Sequence, residues 1–256
     1  MTPPTHLDPS SLGTREYWDS AYTTERANFS ANTEDEGTVW FSDAGAEERM
    51  CSFLEDLAEE GELVKEDSSD VEESANGAGE KKQAKTRFLD LGTGNGHLLF
   101  SLREDGWEGD LVGVDYSAQS IRLASEILAS KPQDTHSGIS FFEFDILSPL
   151  SPPPAWLAEG FDVLLDKGTF DAISLSDEKD AQGRRIVEGY RESVERLVKS
   201  GGRFLITSCN WTEEELRAWM EGEQSAFVYE DKVKYPSFTF GGKTGSSVCT
   251  ICFRRR

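Results

Sequence analysis

The sequence predicts an α/β fold: a Rossmann-like, doubly wound, mostly parallel seven-stranded sheet with helical additions on its N-terminal side. Three observations carry this. From residue 87 onward, short β-rich runs alternate with amphipathic helical stretches, the pattern of parallel βαβ units. The first run, Phe88-Leu89-Asp90-Leu91, passes straight into a turn with Gly92, Gly94 and Gly96 on alternate positions, followed by an amphipathic segment from His97. The first four runs end in or at an acid, namely Asp90, Asp115, Asp145 and Asp166. In a parallel sheet those carboxylates converge on one edge, where open α/β sheets hold their ligands.

Each element has its own local reason. Residues 1–11 read as a flexible tail before a single domain over 12–256. Tyr17, Trp18 and Tyr22 have helical spacing, and Met50, Phe53, Leu54 and Leu57 share one face of a second helix. Residues 65–82 form an acidic, small-residue insert with almost no apolar content, expected to be disordered. Strand 87–91 precedes a helix near 96–105, and strand 111–115 precedes a helix near 117–130 opened by Ser117 as N-cap. Strand 139–145 leads to the Pro-rich loop Pro149–Pro154, and strand 161–166 leads through irregular chain to a helix near 183–199. Gly201-Gly202 turn the chain into strand 203–208, and Thr212 with Glu215 forms a capping box for the next helix. Two last strand-like runs, near 226–233 and 247–253, are joined by a glycine-rich loop.

Composition narrows the class. A chain of 256 residues with 37% hydrophobic content can bury a sizeable core. It has no apolar run of about 18 residues, so no membrane span or membrane partner is expected. The N-terminus lacks a basic stretch followed by an apolar one, and a cytoplasmic protein is expected. The four cysteines are scattered, which suits a reducing compartment. Cys249 and Cys252 have C-x-x-C spacing, but they fall in a strand, where positions three apart face opposite ways; no metal is expected. The net charge of −22 argues against a nucleic-acid partner and is compatible with a basic protein partner. Part of that charge comes from the 65–82 insert. A monomer is the expected state. Gly242-Lys243-Thr244 resembles the end of a P-loop, but Ser237 stands where the first glycine belongs and a strand follows.

The glycine spacing selects the cofactor. A dinucleotide fingerprint, G-x-G-x-x-G, needs a third glycine at 97, where His97 stands. The actual D-x-G-x-G-x-G resembles motif I of the class I S-adenosylmethionine (SAM) methyltransferases. Asp115 lies about 20 residues beyond the glycines, where an acid can accept two hydrogen bonds from a ribose diol. An acid after a strand can also serve only as a helix N-cap.

The flanks narrow the substrate. Asp166-Lys167-Gly168-Thr169-Phe170-Asp171 at the fourth strand end looks like the seven-strand protein-lysine methyltransferases. Leu12-Gly13-Thr14-Arg15-Glu16-Tyr17-Trp18-Asp19 and Val39-Trp40-Phe41 resemble the family that methylates a lysine of translation elongation factor 1-alpha, over most of residues 11–253. The resemblance implies that Asp90, Gly92 and Gly94 line the methionine end of SAM and Asp115 holds the ribose hydroxyls. It implies that Asp145 and the Ile146 backbone meet the adenine edge, Trp40 closes the pocket and Asp166 lies near the reacting methyl. Trp40-Phe41 equally suits core packing, and Lys167 suits a structural ion pair. A free lysine has a pKa near 10.4, so neutralising it at pH 7 takes about 3 units, roughly 4 kcal/mol. A carboxylate opposes that, so Asp166 is expected to capture and orient the ammonium while desolvation promotes proton loss. A small-molecule methyltransferase and a non-catalytic scaffold on the same fold are the alternatives.

Overall fold

The computed structural model describes residues 5–66, 84–132, 135–236, 238–240 and 243–256. The chain enters through a 3-10 turn at Ser11–Gly13 into α1 (Arg15–Ala31), where the Thr14 hydroxyl accepts the Tyr17 N–H as N-cap. Next comes α2 (Ala46–Glu59), with Met50, Leu54 and Leu57 buried along one face. The alternating part then runs β1 (Phe88–Leu91), α3 (His97–Glu104), β2 (Leu111–Asp115), α4 (Ala118–Ser130), β3 (Ile139–Glu143), β4 (Phe161–Lys167) and α5 (Thr169–Ser174). It continues with α6 (Tyr190–Glu195), β5 (Val198–Ser208), α7 (Glu213–Met220) and β6 (Phe227–Val233). A small ladder, β7 (Phe238–Phe240) with β8 (Lys243–Gly245), precedes β9 (Cys249–Arg255).

The seven-stranded sheet has the order β3-β2-β1-β4-β5-β9-β6. Strands β1 to β5 pair in parallel, and β9 is antiparallel to both β5 and β6. The chain winds outward from β1 to β3, then returns to place β4 on the other side of β1. That reversal opens a crevice at the carboxyl ends of β1, β2 and β4.

Strand alternation divides the core into two layers. Phe88, Val163 and Leu205 face Met50, Leu99 and Leu123 from the helices α2, α3 and α4. Leu89, Leu164 and Phe204 face Phe170, Tyr190 and Leu216 from α5, α6 and α7. Each such fully buried apolar side chain contributes about 1.5–3 kcal/mol.

Three expectations need correction. Residues 5–11 are docked rather than loose: the Ser10 N–H donates to Leu175 O (3.1 Å), and the Arg185 guanidinium donates to Leu7 O (2.7 Å). A chain end held by such bonds is tied to the domain. The helix expected over 183–199 is a 3-10 turn, Ile186–Gly189, and the short α6; β5 already begins at Val198, because Val198 pairs with Phe161 of β4. β3 ends at Glu143, two residues early, which frees Phe144 to Ile146 to enter the crevice. Of the 65–82 insert, residues 67–82 lie outside the described residues, while Lys65 pairs with Glu55 and sits 5.3 Å from the Trp107 ring centre. Among the described residues no helix is long and apolar enough to cross a membrane.

The N-terminal segment meets the end of α5 at Gly13, where a Cβ would lie 2.2 Å from the Leu175 carbonyl carbon. Gly13→Ala is expected to lower stability by about 1–3 kcal/mol in urea unfolding and to expose residues 5–14 to proteolysis. Wild-type values in both measurements would refute this contact.

Candidate active site

A cavity of about 250 Å³ opens where β1, β2 and β4 end. Of the eight site residues expected from sequence, Trp40, Gly92, Asp115, Asp145 and Ile146 line it, whereas Asp90, Gly94 and Asp166 do not.

The glycine turn is close-packed by the chain itself. A Cβ on Gly92 would lie 2.2 Å from the Thr169 hydroxyl oxygen, and one on Gly94 would lie 2.7 Å from the Tyr22 hydroxyl oxygen. Both glycines have positive φ, a region that β-carbons disfavour. Gly94 therefore sits beneath Tyr22 of α1 rather than on the cavity wall. Thr169 in turn donates to Leu91 O at 2.6 Å, joining the start of α5 to the turn.

Asp115, 5% exposed, holds the turn from β2. Its Oδ1 accepts the Ser117 N–H (2.8 Å) and its Oδ2 accepts the Gly94 N–H (3.2 Å). Each carboxylate oxygen keeps a lone pair for a further donor. Burial pushes its pKa up to about 6. Asp145 is exposed beside it and accepts the Leu147 N–H at 2.9 Å, while Ile146 is buried. Tyr116 and Phe144 add aromatic wall. These groups fit an adenosine: a carboxylate to accept from a diol's hydroxyls, and apolar walls with a second acid beside them.

Asp90 and Asp166 lie off the cavity wall, on opposite faces of the sheet. Asp90 shares the face of Phe88, beneath α2 and α3, where burial pushes its pKa up to about 7. Asp166 shares the face of Leu164 and is fully buried against α5 and α6. Its Oδ1 accepts the Thr169 N–H (2.7 Å), and its Oδ2 accepts the Phe170 N–H (2.9 Å) and the Tyr190 hydroxyl. Burial pushes this pKa up to about 7 as well. Asp166 therefore anchors α5 and is not among the residues that line the cavity.

The other half of the cavity carries groups the sequence reading left aside. The Lys167 ammonium donates to Trp40 O at 3.2 Å and lies 3.6 Å from the Glu47 carboxylate. Glu47, 5% exposed, also bonds His97 Nδ1 (2.5 Å) and the Ser101 hydroxyl (2.8 Å). Burial pushes the Glu47 pKa up, but its bond to His97 and the Lys167 charge outweigh burial and hold it below the usual range. The bond to Glu47 raises the His97 pKa. Phe41 takes the left-handed conformation (φ 63°) and packs its ring over Gly168. Trp18 contacts both Trp40 (5.3 Å between ring centres) and Tyr22 (6.0 Å). Asp171 reaches the cavity from α5. Alternation along β4 separates Asp166 from Lys167; Asp171 stood in the distinctive run after β4 and Tyr22 in the helical pattern of α1, but the sequence assigned neither a role at the site.

A methyltransferase-domain family model matches residues 82–246. The chain is 40% identical to the protein-lysine N-methyltransferase EFM4 of Saccharomyces cerevisiae, over 96% of each protein. It is 33% identical to EEF1A lysine methyltransferase 2 of Homo sapiens, over 96% of this chain and 88% of that protein. Among solved structures it resembles the N-methyltransferase NodS of Bradyrhizobium japonicum in complex with S-adenosyl-L-homocysteine, with a TM-score of 0.55 and 15% identity over 93% of this chain and 98% of that one. It also resembles magnesium protoporphyrin IX methyltransferase of Synechocystis with bound SAM, with a TM-score of 0.51 and 13% identity over 92% and 97%. These two likenesses show the fold.

Replacing Asp166 tests the anchor. In Asp166→Asn the amide nitrogen must face one of three donors, so stability is expected to fall by about 1–3 kcal/mol, read by urea unfolding. Unchanged stability would show that the carboxylate is not bonded as described.

Proposed function

The chain belongs to the protein-lysine N-methyltransferase family matched above, and we propose that it transfers a methyl group from SAM to a lysine side-chain amine of translation elongation factor 1-alpha. One observation carries the reading. A single cavity joins Gly92, Asp115, Asp145 and Ile146 on one side to Trp40, Lys167 and Asp171 on the other. The first group suits adenosine and the second suits an incoming side chain. The name of the Homo sapiens relative supports the substrate, and that of the Saccharomyces cerevisiae relative supports protein-lysine methylation. The net charge of −22 suits a basic protein partner.

In this reading Asp115 accepts the ribose hydroxyls, Asp145 and the Ile146 N–H meet the adenine edge, and the turn at Gly92 lies along the methionine end. Trp40 covers the cavity from the N-terminal side. Bound SAM supplies an electrophilic methyl group. The lysine nitrogen forms the new N–C bond as the S–C bond breaks, so the protein's task is alignment and deprotonation of the amine. Apolar walls from Trp40, Phe41 and Ile173 withdraw an ammonium from water, which favours the neutral amine. The proton leaves to solvent. We take the enzyme to act as a monomer, with its substrate in the cytoplasm.

Labelled SAM added with a cell lysate is expected to mark one protein band at the elongation factor. Label confined to small molecules, or no label from folded protein, would refute the reading. Cofactor binding should also follow Asp115. Its pKa is about 6, so the acceptor is ionised above pH 6 and protonated below. SAM affinity, read by calorimetry, is expected to be flat above that pH and to weaken as pH falls through it. Asp115→Asn is expected to weaken binding roughly 10- to 100-fold, the equivalent of about 1.5–3 kcal/mol, and to flatten this dependence. A pH profile unchanged in the variant would exclude Asp115 as the acceptor.

A further inference from the structure

With Asp166 withdrawn into the core, a second buried carboxylate remains beside the cavity. Asp171 lies on α5 and is 4% exposed, yet it contributes to the cavity wall. Its Oδ1 accepts the Ser208 hydroxyl (2.5 Å), and its Oδ2 accepts the Cys209 N–H (2.8 Å). The same Ser208 oxygen accepts the N–H groups of Asn210 (3.1 Å) and Trp211 (3.0 Å). The Trp211 indole N–H donates to the Ser174 hydroxyl at 3.1 Å, one turn along α5. The chain leaving β5 is thus folded around one hydroxyl, and Asp171 sets the direction of that hydroxyl.

The turn so held presents two exposed residues, Cys209 and Asn210, to the cavity. It lies at the end of β5, which pairs with β4. The adenosine-fitting groups come from β2 and from the chain after β3, on the opposite side of β1. The β5 end therefore borders the half of the crevice left for the acceptor.

Resting on the reading above, we propose that Asp171 is a positioning residue for the substrate lysine: through Ser208 it fixes the Ser208–Trp211 turn, whose Cys209 and Asn210 form the wall against which the acceptor side chain lies. Asp171 acts through the turn. An ionised carboxylate is needed because both of its oxygens receive donors; an amide can satisfy only one. Ser208 is the relay, since its oxygen donates to Asp171 and accepts two backbone N–H groups.

The test compares Asp171→Asn, Ser208→Ala and the double variant, each with SAM affinity by calorimetry and steady-state methylation of purified elongation factor 1-alpha. SAM affinity is expected to stay within about threefold of wild type, while KM for the protein substrate rises about tenfold or more, as for a lost hydrogen bond to a charged group. The double variant is expected to be no worse than the worse single, because the two side chains act as one unit. An unchanged KM, a parallel loss of SAM affinity, or additive losses would overturn the proposal. Should the buried variants not fold, Asn210→Ala alters an exposed residue and reads the wall directly: a raised KM with normal SAM affinity supports the proposal, and a normal KM overturns it. Failure of the parent reading looks different. Wild-type protein then binds no SAM or leaves the elongation factor unmethylated, and the proposal falls with it.

Discussion

Burial of the Asp166 carboxylate beneath the first turn of α5 decides where that helix sits, and the cavity is arranged around it. α5 has only six residues, too few to be stable as an isolated helix. Withdrawing a carboxylate from water costs several kcal/mol unless donors surround it. Here two backbone N–H groups and the Tyr190 hydroxyl do so, joining β4, α5 and α6 into one unit. From that anchored helix, Thr169 reaches the glycine turn, Asp171 reaches the β5 end, and Leu175 receives the N-terminal segment.

The N-terminal additions complete the cavity rather than decorate the domain. Gly13 lies against Leu175, Trp18 bridges Trp40 and Tyr22, and Lys167 grips the Trp40 carbonyl. The segments Leu12–Asp19, Val39–Phe41 and Asp166–Ile173, far apart in the chain and most distinctive in the sequence, are thereby brought into contact. Their pattern is joint: Gly13 is small because α5 passes beneath it, and Phe41 packs where residue 168 has no side chain. Phe41 holds a left-handed backbone conformation, which costs energy for a non-glycine residue and persists only where surrounding contacts enforce it.

Four aspartates of one chemical type end in four different situations. Asp115 keeps lone pairs facing the cavity, Asp90 lies under α2 and α3, Asp166 caps a helix, and Asp171 holds a turn. Burial raises the pKa of all four, so titration alone does not separate a ligand-binding acid from a structural one. Position does. Asp90 and Asp115 share one face of the sheet, but Asp90 lies two register positions deeper while Asp115 ends its strand at the crevice; Asp166 points into the opposite layer and Asp171 sits on α5.

By itself the sequence determined the doubly wound sheet, the strand-end acids, the glycine turn and the placement of most elements. These are local matters: periodicity of 2 or 3.6, turn chemistry and capping are written in neighbouring residues. It also named five of the cavity's lining residues: the crevice at the carboxyl ends of parallel strands points to Gly92, Asp115 and Asp145, while Trp40 and Ile146 came from the family resemblance. What only the tertiary structure decided was which acids face the crevice, that Tyr22 covers Gly94, that residues 5–11 are docked, and that Asp171 reaches across to Ser208. Each of these depends on contacts between residues distant in the chain. No local pattern records them, since a side chain's partner is settled only when the layers pack.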